Sequence, residues 1–82
     1  MRNDEITSAQ AQVTKAQADL DNANLELNRR TTLSASGAIS KEELSKAQSA
    51  VATAKANLAL ADANFAQAQS SRKAAESTLA AN

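Results

Sequence analysis

Gly37 is the only glycine among 82 residues, the chain contains no proline, and the strongest signals for helix ends surround this glycine. Glycine readily takes the left-handed conformation that ends many helices. Ser40 and Glu43 have the spacing of a capping box, in which the serine oxygen accepts an amide N–H and the glutamate reaches back to the serine amide. Ile39 and Leu44 have the spacing of a hydrophobic staple. Together these signals predict a short turn between two helices.

The composition on both sides of this turn favours helix. Alanine, glutamine, leucine, lysine and glutamate dominate, and the only aromatic residue is a single phenylalanine. These are residue types that lose little on entering a helix. We therefore predict an all-α fold within one unit, residues 1–82, with a helix over about 3–35, a turn over about 36–39 and a helix over about 40–81.

Larger apolar residues recur every seven positions in both predicted helices, and alanines recur with the same period three positions later. This is the pattern of the a and d positions of a coiled coil. In the first helix the repeat is formed by Ile6, Val13, Leu20 and Leu27, with Ala9, Ala16 and Ala23. In the second it is formed by Leu44, Val51, Leu58, Phe65 and Leu79, interrupted at Arg72, with Ala47, Ala54, Ala61, Ala68 and Ala75.

These repeats predict how the helices pair. Because the turn is short, the helices must be antiparallel, and residues equidistant from residue 37 lie opposite each other. In that register, from Leu27 with Ala47 to Ile6 with Ala68, each large residue faces an alanine, as in Leu20 with Ala54 and Ala23 with Val51. The prediction is an antiparallel two-helix coiled-coil hairpin. Ala75 and Leu79 have no partner in it, so we also expect the hairpin to be a segment excised from a larger protein.

The chemistry available to the chain is restricted. It has no histidine or cysteine, and its nine basic and nine acidic side chains balance. Acid–base catalysis near neutral pH, thiolate chemistry and soft-metal binding lack their usual groups, and no net positive charge attracts nucleic acid. Glu42 and Glu43 are placed where a helix start favours negative charge. We predict no enzyme activity, no cofactor, no metal site and no nucleic-acid partner.

Three residues around the turn form a spaced set: Arg29, Leu33 and Ser40. Each has an ordinary structural explanation. Arg29 lies towards a helix C-terminus, Leu33 has the position of the apolar contact that accompanies a glycine-ended helix, and Ser40 is an N-cap. Together they also offer a charge, an apolar side chain and a hydroxyl at the tip, meaning the closed end of the predicted hairpin.

This set resembles the tip of the α-helical hairpin in periplasmic adaptor proteins, also called membrane fusion proteins. In that family an Arg–Leu–Ser motif at the hairpin end docks onto the outer-membrane channel, and Arg29, Leu33 and Ser40 match it in spacing. The surrounding sequence, LNRRTTLSASGAISKEELSKAQSAV, is most similar to the EmrA branch of drug-export adaptors. The resemblance covers the hairpin only, and is more specific at the tip than along the arms.

The resemblance implies a function in a tripartite multidrug efflux pump. The partners would be a TolC-like outer-membrane channel at the tip, neighbouring adaptor hairpins in a homo-oligomer, and an inner-membrane transporter contacted through domains absent from this chain. The location would be the periplasm, with the full-length protein anchored to the inner membrane. The site residues would be Arg29, Leu33 and Ser40, supported by the turn and cap residues Gly37, Ile39, Ser40 and Glu43.

Other functions fit the same arms. A structural or oligomerising coiled-coil spacer explains both heptad repeats and leaves the tip motif as coincidence. A type I secretion adaptor hairpin has the same architecture and docking motif. An amphipathic helix on a lipid surface fits less well, because the apolar stripe is narrow and rich in alanine.

Overall fold

The computed structural model describes the backbone of residues 2–81 and the side chains of residues 4–81, and it confirms the all-α hairpin. Helix α1 spans Arg2–Ala35 and helix α2 spans Lys41–Ala81. The helices pack against each other in a rod that measures 68 × 14 × 13 Å. A helix of 41 residues is about 60 Å long at about 1.5 Å per residue, so α2 sets the length of the rod.

Between residues 4 and 81, all the buried residues lie in the seam, meaning the facing a and d positions of the two helices. The central cluster joins Leu20 of α1 to Val51 and Ala54 of α2, with three half-buried residues packed against it. This cluster agrees with the predicted register, because it contains residues from both helices at equal distances from residue 37. The buried residues of the seam are Ala9, Ala16, Leu20, Ala47, Val51, Ala54 and Ala61.

Alanines, not the large residues, are the better buried members of the seam. Leu20 and Val51 are buried, whereas Val13, Leu58 and Phe65 remain half-buried, and no described side chain is fully enclosed. The physical reason is that only two helices are present. The methyl group of an alanine lies wholly between the two helices, while a longer side chain extends past the narrow partner helix towards solvent. Leu79 is 78% exposed, since α1 has no residue opposite it in this register.

The end of α1 forms a Schellman motif centred on Gly37. Gly37 has φ of +80°. Its N–H donates to the Ser34 carbonyl at 3.0 Å, and the Ala38 N–H donates to the Leu33 carbonyl at 2.9 Å. These two bonds satisfy carbonyl groups that the helix leaves without partners at its end. The motif reverses the chain direction and starts the return to α2.

The start of α2 is capped by Ser40, whose Oγ accepts the Glu43 N–H at 3.2 Å. Ile39 and Leu44, the predicted staple, are both half-buried. The structure differs from the expected capping box in the Glu43 side chain. Its carboxylate hydrogen-bonds with Arg30 of α1 at 3.4 Å and not with the Ser40 amide. The nearby guanidinium attracts the carboxylate across the seam because opposite charges favour a direct pair.

Neither helix, over residues 2–81, contains a stretch that combines the length and apolar character needed to cross a bilayer.

Gly37→Ala should lower the free energy of unfolding by about 1 kcal/mol, because a β-carbon disfavours the left-handed conformation. No atom lies within 4 Å of the position that the new Cβ would take, so the cost is conformational and not a clash. Urea unfolding of the 82-residue chain followed by circular dichroism measures it. Gly37→Asn is the matched control and should cost less, since asparagine tolerates this conformation. Equal losses for both variants would contradict the explanation.

A cysteine pair tests the register, since the chain has no cysteine of its own. Ala23→Cys with Val51→Cys should oxidise to an intramolecular disulfide at low protein concentration. Ala16→Cys with Val51→Cys is offset by one heptad, about 10 Å along the helix, and lies beyond disulfide reach. Mass spectrometry of the oxidised monomer distinguishes the two pairs. Cross-linking of the offset pair alone would show that the register is wrong.

Candidate functional site

The three residues of the tip motif are all exposed in the structure. Arg29 and Leu33 are four residues apart on α1, a spacing that puts them on the same face of the helix. Ser40 lies across the turn and directly precedes α2. The hairpin thus presents all three side chains to solvent at its closed end, with the turn between the first two and the third.

Leu33 is held by the turn through its backbone. Its carbonyl accepts the Ala38 N–H at 2.9 Å and the Ser36 hydroxyl at 2.8 Å. The residue is 37% exposed. The described residues include four exposed large apolar side chains, and Leu33 is the one next to the turn. The others are Leu25, Leu60 and Leu79.

Ser40 combines a structural contact with an available donor. Its Oγ accepts the Glu43 N–H as the cap of α2. A serine hydroxyl has one donor hydrogen and two acceptor lone pairs, and the cap uses only acceptor capacity. The hydroxyl hydrogen therefore remains available to an acceptor on another molecule.

Arg29 belongs to a network of four charged side chains at the tip. Its Nη2 donates to both carboxylate oxygens of Glu26, at 2.8 Å to Oε1 and 2.7 Å to Oε2. Arg30 Nε donates to Glu26 Oε1 at 2.7 Å, and Arg30 Nη1 donates to Glu43 Oε2 at 3.4 Å. The Arg30–Glu43 contact joins α1 to α2, so the network spans both arms of the hairpin.

The charges in this network stabilise one another. The pKa of Glu26 is lowered, first by the hydrogen bond from Arg29, then by that from Arg30. The pKa of Arg29 is raised by the hydrogen bond and the charge of Glu26. Because the folded Glu26 carboxyl has a depressed pKa, its contribution to stability is present above its unfolded pKa and is lost as the pH falls through the folded value. At neutral pH both groups are charged.

The sequence analysis placed Arg29 towards the C-terminus of α1, where a positive charge favours the helix dipole. The structure corrects this, because the last turn of α1 contains no basic residue. Arg30 lies seven residues after Ala23, in the next position of the alanine repeat, and is half-buried at the seam. Extending the heptad pattern by one step would have placed Arg30 at the interface. Glu26 was also missed as a member of the tip.

The acidic residues Glu42 and Glu43 lie in the first turn of α2, where negative charge favours the helix dipole. Over the described residues, no cluster of three or more side chains of the types that bind metals is found.

Comparison with known proteins agrees with the geometry of the hairpin. A family model described as the EMRA alpha-helical hairpin domain matches residues 3–82. Searches of curated proteins and of solved structures gave no match. The family match covers nearly the whole chain, including both helices and the tip. The chain therefore belongs to the family of EmrA α-helical hairpin domains.

Proposed function

We propose that this hairpin is the docking arm of a periplasmic adaptor in a tripartite multidrug efflux pump, and that its tip binds a TolC-like outer-membrane channel. The observation that carries the proposal is the joint exposure of Arg29, Leu33 and Ser40 at the closed end of the rod. Membership of the EmrA hairpin family supports the pump context. The function is mechanical contact and not catalysis.

The chemistry of the tip suits recognition of another protein. Arg29 supplies charged donors, Leu33 supplies an apolar side chain, and the Ser40 hydroxyl supplies a neutral donor. Arginine is enriched among the residues that dominate protein interfaces. The partner would offer hydrogen-bond acceptors to Arg29 and Ser40, and a small apolar pocket to Leu33.

The shape of the molecule suits a spacer between two membranes. A rod 68 Å long and about 14 Å across carries the tip far from its open end. Several rods side by side would form the wall of a tube, with the channel at the tips and the exported compound inside. Leu25 and Leu60 are exposed on the sides of the rod and would contribute apolar contacts between neighbouring hairpins.

In this proposal the adaptor lies in the periplasm, anchored to the inner membrane by its other parts, and contacts the inner-membrane transporter through domains outside this chain. A type I secretion adaptor would use the same tip in the same way. A plain coiled-coil spacer would have the same seam, but it would not require the motif at the tip. The variants below separate docking from the spacer function.

Arg29→Ala and Leu33→Ala, each introduced into the full-length adaptor, should reduce cross-linking to a TolC-like channel at least about tenfold, which corresponds to about 1.4 kcal/mol of binding free energy. Drug efflux should fall with it. The matched control is Arg72→Ala, which also removes an arginine paired within one helix, here with Glu76 at 2.9 Å, but far from the tip. If cross-linking and efflux survive at wild-type levels in both tip variants and in Ser40→Asp, the docking proposal is wrong.

Ser40→Asp separates the cap from the docking surface. Aspartate is as good an N-cap as serine, so the unfolding free energy of the hairpin should stay within about 0.5 kcal/mol of wild type. The new carboxylate replaces a donor by an acceptor and should weaken docking. Ser40→Ala should instead cost about 1 kcal/mol of stability. Chemical unfolding and channel cross-linking, measured on the same variants, test the separation.

A further inference from the structure

We infer that Glu26 is a positioning residue for Arg29, and that Arg30 and Glu43 tie this pair to α2 so that the docking arginine is oriented before the channel arrives. The inference rests on the proposed docking function and adds to it residues that lie outside the tip motif. Its basis is the continuity and the geometry of the charged network.

The network connects two of the three motif residues. From Arg29 it passes to the Glu26 carboxylate, then to Arg30, and across the seam to Glu43. The backbone N–H of Glu43 in turn donates to Ser40 Oγ at 3.2 Å. Arg29 on α1 and Ser40 at the start of α2 are therefore linked through Glu43, whose side chain binds Arg30 and whose backbone N–H binds Ser40.

The hydrogen bonds to Glu26 leave Arg29 able to bind a partner. A guanidinium carries five N–H donors, and the contacts with Glu26 use Nη2 alone. The donors on Nε and Nη1 make no hydrogen bond to any residue between 4 and 81. Glu26 thus restrains the guanidinium through Nη2 and leaves the donors on Nε and Nη1 for a partner.

Exposure of the side chains decreases along the network from Arg29 towards the seam. The side chain of Arg29 is 66% exposed, that of Glu26 is 40% exposed and that of Arg30 is 33% exposed. Arg30 is the member of the network that is held between the helices. Glu26 is bound to Arg30, and it in turn restrains the exposed side chain of Arg29. A long side chain that is already ordered loses less conformational entropy on binding. The pKa of Glu26 is lowered, first by the hydrogen bond from Arg29 and then by that from Arg30, as expected of a carboxylate that holds two guanidinium groups.

Glu26→Gln in the full-length adaptor tests the inference. Glutamine keeps the size and a single acceptor oxygen but removes the charge that holds two arginines. Cross-linking to a TolC-like channel should fall about threefold to tenfold, and the ¹⁵N signal of Arg29 Nε in the 82-residue chain should report greater side-chain mobility. Glu76→Gln, which removes the carboxylate that pairs with Arg72, is the matched control and should change neither measurement.

Arg30→Met provides a second, independent variant. Methionine keeps an unbranched apolar side chain at the seam and favours helix, but it cannot bind Glu26 or Glu43. The unfolding midpoint should be unchanged or higher, while channel cross-linking falls. A merely structural contribution of Arg30 would lower the midpoint and the cross-linking together, and that result would overturn the inference.

The double variant shows whether Glu26 acts through Arg29. With Arg29→Ala already present, Glu26→Gln should cause no additional loss of cross-linking. An additional loss of the same size as in the wild-type background would overturn the inference. If Arg29→Ala weakens cross-linking and Glu26→Gln does not, the positioning inference fails and the docking function stands. If Arg29→Ala has no effect, the positioning inference fails as well, and the docking function itself fails if Leu33→Ala and Ser40→Asp also leave cross-linking at the wild-type level.

Discussion

Close contact between alanines and larger apolar residues along two antiparallel helices is the interaction on which the rest of this structure depends. Alanine allows the helix backbones to approach, and the residue opposite covers it. Because only two helices take part, no described side chain becomes fully enclosed. The seam sets the antiparallel register and the straight rod. It also leaves the large residues with solvent-facing surface that neighbouring hairpins would cover in the proposed tube.

The turn fixes the position of the closed end of the hairpin. Gly37 takes a conformation that other residues resist, and the Schellman hydrogen bonds close α1 at a fixed residue. Ser40 then starts α2 after only a few residues. A short, hydrogen-bonded turn allows little freedom to the side chains beside it. Leu33 and Ser40 are thereby held at fixed places on the outer surface, although neither is buried.

The charged network adds a second level of order to the tip of this EmrA-family hairpin. Surface ion pairs contribute little to stability when they are isolated, and Arg29 with Glu26 is well exposed. Its value in the proposed docking lies in orientation, since Arg30 links that pair to the seam and to Glu43 of the other helix. The same set of residues therefore connects packing between the helices to the surface that the channel would meet.

The sequence alone determined the helices, the position of the turn and the register. The lone glycine and the capping serine are local signals that fix the turn, and with the turn fixed the heptad spacing allows one antiparallel register. The sequence also identified Arg29, Leu33 and Ser40 by their spacing, as candidates whose docking role stays a prediction. It did not show that the Glu43 carboxylate would bond with Arg30 instead of the Ser40 amide, or that Glu26 would bind both arginines. Only the tertiary structure decided these hydrogen-bond partners, because they depend on which side chains the pairing of the two helices brings together. A charged side chain pairs with the opposite charge that is nearest in space, and that charge need not be nearest along the chain.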